Sequence, residues 1–125
     1  MKQQLLALTT FLCTLCAFQA HAQQDQVIGQ YGIHVYVMVP TDKAGDRNYV
    51  RRAAEHACAS KSVCYASVWA ESLDRPEGVP PHPRYEENKL AQFQRNRNAG
   101  VEASFAANCR LFKKDINVPC LTGTD

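Results

Sequence analysis

Four cysteines, Cys58, Cys64, Cys109 and Cys120, are the side chains in this sequence best equipped for chemistry, and their spacing narrows what that chemistry is. The nearest pairs enclose five and ten residues, whereas structural zinc sites usually space their ligands C-x2-4-C. None of the four forms a C-x-x-C dithiol with another, which disfavours thioredoxin-like exchange. An even number of cysteines in a short exported chain reads instead as two disulfides. Three pairings satisfy four cysteines. The local ones, Cys58–Cys64 and Cys109–Cys120, are favoured because each ties the end of one element to the segment beside it; the crossed pairings stay open.

The other reactive groups are scattered. His34, His56 and His82 stand apart along the chain, and hydrolytic chemistry needs a histidine between a nucleophile and an orienting carboxylate. Ser67, Ser72 and Ser104 are the serines of interest, yet none sits in G-x-S-x-G. Glu71 and Asp74 flank Ser72, and two carboxylates held a few ångströms apart can cleave glycosides, but such pairs are ordinary at strand ends. The sequence has no H-E-x-x-H, no phosphate-cradling glycine loop and no calcium-loop spacing. No catalytic residue, metal ligand or cofactor is assigned.

Recognition is the stronger expectation. Trp69, Tyr65 and Tyr85 surround a stretch, residues 72–84, stiffened by Pro76, Pro80, Pro81 and Pro83. Aromatic and arginine side chains anchor interfaces, and a proline-restricted loop loses little entropy on docking. The candidate interaction set is Trp69, Tyr65, Glu71, Asp74, Arg75, His82, Arg84 and Tyr85. The plainer reading is that Trp69 and Tyr65 complete a core on the second face of a sheet.

These groups are placed by a chain that begins with an export signal. Lys2 precedes an apolar run from Leu5 to Phe18, and Ala20-His21-Ala22 offers small residues at the two positions a signal peptidase reads. The run is shorter than the ~20 residues that cross a bilayer, and no second one follows. Cys13 and Cys16 are each preceded by leucine rather than the small residue of a lipobox. Cleavage near Ala22 is expected, leaving residues 23–125 as one domain in the periplasm or the medium without stable membrane insertion. Lys2 being the fourteenth base, those residues carry 13 Lys plus Arg against 12 Asp plus Glu. So even a balance gives no electrostatic footprint for nucleic acid. Arg95 and Arg97 form the one basic cluster and read as a solvated helix end.

Residues 23–30 are polar and read as a loose tail. Tyr31–Val39 is rich in β-branched and aromatic residues and reads as a strand ended by Pro40. Asp46 is placed to N-cap a helix over 46–59 whose buried face is Val50, Ala53, Ala54, Ala57 and Cys58. Residues 63–71 alternate as a second strand, with Cys64, Ala66, Val68 and Ala70 toward the helix. Residues 72–84 form an irregular loop. Residues 85–94 read as a second helix anchored by Leu90 and Phe93, with Gly100 as its stop signal. Residues 101–112 read as a third strand, a helix being the rival, and residues 113–125 as a tail pinned by its disulfide. The expectation is an α+β or small α/β two-layer sandwich, a three-stranded mixed sheet with two helices. Its parallel pair follows from strand–helix–strand order.

The function expected is an exported binding or inhibitory protein that recognises another protein, such as a secreted hydrolase or toxin. A small-molecule or envelope-saccharide binding module is the alternative, and a small hydrolytic enzyme a third. An exposed Trp69 beside a stiff loop favours the first. A concave pocket between sheet and loop favours the second. A buried histidine–carboxylate pair facing that pocket favours the third.

Overall fold

A computed structural model describes residues 25–71 and 76–125. The expected signal peptide and Ser72, Asp74 and Arg75 lie outside the described residues. Seven elements follow one another: β1 (Gln26–Tyr31), β2 (His34–Val39), α1 (Arg47–Ala57), β3 (Val63–Ala70), α2 (Pro83–Asn88), β4 (Ala91–Asn96) and β5 (Val101–Ala107). The strands lie side by side in chain order, β1-β2-β3-β4-β5. Only β2 and β3, joined through α1, run parallel; the other three pairs are antiparallel.

The three-stranded sheet expected from the sequence is therefore corrected to a five-stranded mixed sheet with two helices. The first added strand comes from residues expected to be a loose tail. Gln26–Tyr31 folds back on β2 through Gly32 and Ile33, and Gly32 takes φ 62°, a left-handed conformation that glycine adopts without a Cβ clash. The expected strand from Tyr31 is thus broken by a hairpin turn. The second comes from the expected helix over 85–94, which ends early. Pro83 opens α2, whose last residue is Asn88, and Ala91–Asn96 is extended. In that segment Ala91 and Phe93 point into the core and alternate with Gln92 and Gln94. Gly100, at φ 76°, closes the single 3-10 turn Arg97–Ala99 that leads into β5, not the helix expected over 85–94. Residues 101–107 form a strand, not the rival helix.

The helix–sheet layer follows the sequence pattern. The Asp46 carboxylate accepts from the amides of Asn48 and Tyr49, both at 3.0 Å, satisfying two donors that the first helical turn leaves unpaired. Val50, Ala53 and Ala54 of α1 are buried on Val35, Val37 and Val39 of β2, Ala66 and Val68 of β3, Ala91 and Phe93 of β4, and Phe105 and Ala107 of β5. The alanines let the helix approach closely, so the valines and phenylalanines fill the space below. Arg51 and Glu55, one turn apart on its outer side, pair at 2.8 Å.

Cys58 is paired with Cys64 and Cys109 with Cys120. The first bridge is buried and joins the end of α1 to the start of β3. The second is partly exposed and holds the C-terminal segment against β5, where Ala107 bridges Cys120 and exchanges backbone hydrogen bonds with Pro119 and Leu121. Disulfides of this kind belong to an oxidising, extracytoplasmic environment. No helix among the described residues is long and apolar enough to cross a membrane.

Candidate functional site

The sheet face away from α1 changes character from one end to the other. At one end Met38 and Trp69 are register partners, buried with Tyr36 and Tyr85 in a second, smaller core. Trp69 is 0% exposed, and its indole N–H donates to the Tyr85 carbonyl at 2.8 Å. Tyr36 packs edge-on against Trp69 with ring centroids 5.1 Å apart, and its hydroxyl donates to the Gly78 carbonyl at 2.6 Å. Burial, then the negative charge of Glu86 and the neighbouring Tyr31, raises the Tyr36 phenol above its ordinary range. These contacts clamp residues 76–85 onto the apolar end of the face.

One row further along, Tyr36, Ser67, Gln92 and Ala106 are consecutive partners across four strands. Beyond them runs His34, Tyr65, Gln94 and Ser104, with Tyr31 continuing the row on β1. Among the described residues nothing buries this last row: Tyr31 and Ser104 are exposed, and His34, Tyr65 and Gln94 half-buried. Its rings are ordered: His34 and Tyr65 lie 5.5 Å apart, and the Gln94 side-chain amide donates to the Tyr65 hydroxyl at 3.1 Å.

Over β4 and β5 the face becomes the floor of a cavity of about 380 Å³. Gln92, Gln94, Ser104 and Ala106 form the floor, Glu86, Glu87 and Lys89 one wall, and Arg110 with residues 120–124 the other. Lys89 is held rigidly, its side chain 10% exposed and its ammonium on the Glu86 carboxylate at 2.5 Å. The second wall is stapled by the Cys109–Cys120 bridge and by Thr124, whose hydroxyl accepts from the Cys109 amide and donates to the Leu121 carbonyl.

Asn108 joins the two walls, and no motif in the sequence marks it. It is 0% exposed. Its amide nitrogen donates to the carbonyls of Glu87 and Lys89 at 3.2 and 2.9 Å, and its oxygen accepts from the Arg110 backbone at 3.0 Å. One buried side chain thus links the α2–β4 connection to the start of the C-terminal segment. A lone asparagine at a strand end carries no period or spacing; only its burial gives it away.

The expected interaction residues do not gather into one patch. Trp69 and Tyr85 meet, but inside the second core, and Arg84 lies over the outer side of the Tyr85 ring at 4.8 Å with a hydrogen bond to its hydroxyl. His82 is spent on the fold: its Nδ1 accepts from the Arg84 amide at the start of α2. Glu71 is exposed at the end of β3, its backbone amide on the Val39 carbonyl. Tyr65 stands away from these, in the open row. Of the other groups considered, His56 is exposed on α1, Ser67 is buried and Ser104 is on the cavity floor. Arg95 and Arg97, expected at a helix end, lie at the end of β4 and in the turn after it. Arg95 donates to the Cys58 carbonyl and Arg97 pairs with Glu102.

Chemically the cavity offers amide, hydroxyl and backbone groups together with the Lys89–Glu86 ion pair, Glu87 and Arg110. No histidine lines it, and among the described residues no group of three or more His, Cys, Asp or Glu is arranged to hold a metal ion. Such a lining can hold and orient a polar ligand by hydrogen bonds. Comparison with protein-family models, with curated proteins and with solved structures finds no match to this chain.

Proposed function

We propose that this protein is an extracytoplasmic binding domain for a small, uncharged, hydroxyl- and amide-bearing ligand of the saccharide class. The observation that carries the reading is the cavity over β4 and β5, where Gln92, Gln94 and Ser104 face a space of about 380 Å³ between two walls. That volume lies within the range of small-ligand sites, in which a few placed polar groups fix orientation. Side-chain amides and hydroxyls both donate and accept, as sugar hydroxyl and acetamido groups do. The lining carries two acids, Glu86 and Glu87, and two bases, Lys89 and Arg110, with Lys89 on Glu86, so its formal charge is balanced.

Of the three functions weighed from the sequence, protein recognition is favoured by an exposed Trp69, and here that ring is enclosed, so it lacks that support. A buried histidine–carboxylate pair at the pocket favours the hydrolytic reading, and the lining holds no histidine to form one. The saccharide reading is favoured by a concave space beside the sheet, and the cavity is one, walled by residues 86–89 and the C-terminal segment rather than by the proline-rich loop.

The test is a titration of the exported protein with envelope sugars, followed by amide chemical shifts. Saturable shifts are expected at Gln92, Gln94, Ser104 and Thr122 and in the side-chain amides of both glutamines. Saturable shifts confined to Trp69, Tyr85 and residues 76–84, or shifts that never saturate, overturn the reading.

A further inference from the structure

We propose that the site is bipartite and takes a saccharide chain, one unit in the cavity over β4–β5 and the next lying on the rings of Tyr65 and His34. The inference rests on the saccharide reading and extends it along the sheet. Gln94 and Ser104, on the cavity floor, are register partners, and the same row continues through Tyr65, His34 and Tyr31 on β3, β2 and β1. Neighbouring strands lie about 4.8 Å apart, so the row stretches roughly 19 Å across the five strands. The cavity ends near β4; the row does not.

The outer part of the row is aromatic. Tyr31 is 37% exposed, and Tyr65 and His34 are half-buried with their rings paired. The rings are also fixed in place. Tyr65 is held from the pocket side by the Gln94 amide, and Tyr31 packs on Tyr36 at 5.3 Å. A ring ordered before binding loses little entropy when a flat apolar surface lands on it. A pyranose presents such a surface on its C–H face while its rim of hydroxyls stays polar. The row holds no carboxylate, lysine or arginine, which fits a neutral chain better than a charged polymer.

The coupling between the halves is direct. Gln94 belongs to the cavity floor and also donates to the Tyr65 hydroxyl, so the hydrogen-bonding half and the stacking half share a side chain. A ligand spanning both receives amide contacts on one unit and a ring under the next.

The experiment is calorimetric titration of the exported protein with N-acetylglucosamine and with its β-1,4-linked trimer. The trimer is expected to bind about tenfold more tightly, the equivalent of roughly 1.4 kcal/mol. Tyr65→Ala is expected to bring the trimer-to-monomer ratio toward one, while Tyr65→Phe, which keeps the ring, retains most of it. Should Tyr65→Ala fail to fold, the wild-type protein still decides the matter: the trimer must shift the ring protons of Tyr65 and His34 and the monomer must not. Equal affinity for both sugars, with shifts confined to Gln92, Gln94 and Ser104, overturns the second subsite and leaves the cavity reading standing. Binding of neither sugar overturns both.

Discussion

Replacing Asn108 by alanine puts the joint between the cavity walls to a quantitative test. The substitution deletes two donations, to the Glu87 and Lys89 carbonyls, and one acceptance from the Arg110 amide. A typical intramolecular hydrogen bond contributes about 1 kcal/mol, and a buried acceptor left without a donor costs about 1–3 kcal/mol. Lys89 is buried, so its carbonyl is the costly one, whereas Glu87 is exposed and recruits water. The total is about 3–5 kcal/mol, a large part of the roughly 5–15 kcal/mol that holds a domain together. Asn108→Asp keeps the shape but turns an oxygen toward the two carbonyls. Burial and those carbonyls raise the new carboxyl above its unfolded value of about 3.9. The folded state then binds the proton more tightly, so the variant is most stable below about pH 3.9 and loses stability as pH rises through the raised folded value. Urea denaturation of both variants and wild type, at pH 7 and again near pH 3.5, measures the differences. An alanine deficit under about 1 kcal/mol, or an aspartate deficit that does not change between the two pH values, refutes the argument.

Three further outcomes follow from other contacts. The Tyr49 hydroxyl donates to Asp25 at 2.6 Å, which pushes its phenol up to about 12. Because the neutral phenol is the form the fold favours, this contact contributes below about pH 10 and is lost as pH rises through 12. A phenolate absorbance titration should show one tyrosine returning toward the ordinary range in Asp25→Asn, and no change there removes the assignment. Replacing both members of a disulfide by serine should cost about 2 kcal/mol for Cys58–Cys64 and about 3 kcal/mol for Cys109–Cys120, from the loop each closes. Only the second should weaken ligand binding, measured on protein still folded by circular dichroism, because Cys120 lies in the cavity wall. Tyr36→Phe removes the bond to the Gly78 carbonyl and should cost about 1 kcal/mol, with faster amide exchange over residues 77–79 and unchanged exchange in β3. Uniform protection across all these amides would show that the hydroxyl does not hold the loop.

The parts of the fold legible in the sequence are those where local preference and tertiary packing agree. Asp46, the alanine face of α1 and the alternation of Val63–Ala70 each carry one meaning, and the structure uses it. Ala91–Asn96 carries two. Ala91 and Phe93 against Gln92 and Gln94 is a strand period, yet Leu90 and Phe93 are also three apart, and the segment follows the helix-favouring Tyr85-Glu86-Glu87. Pairing with β3 on one side and β5 on the other decides it, and that pairing is nonlocal. Gln26–Tyr31 is hidden for another reason: an edge strand with two glutamines and a glycine resembles a tail until the hairpin at Gly32 brings it to β2. The site was legible only in part. The aromatic residues of the second face stand out by type, but which are buried depends on where residues 76–85 settle. The glutamines of the cavity floor are ordinary surface residues until β4 exists.

The agreement between strand order and chain order bears on how the molecule comes into being. Every sheet neighbour is the next strand in sequence, and each bridge joins cysteines only 6 or 11 positions apart. A chain entering an oxidising compartment amino-terminus first can therefore finish each step before the next segment arrives. Cys58 meets Cys64 while Cys109 is still to come, so during emergence the correct partner is the first one available. Each strand likewise finds its template already laid down, and short loops of this kind close with little entropic cost. Assembly can proceed in the order of arrival, with neither thiol reshuffling nor a wait for the carboxy-terminus until the last bridge closes the cavity wall.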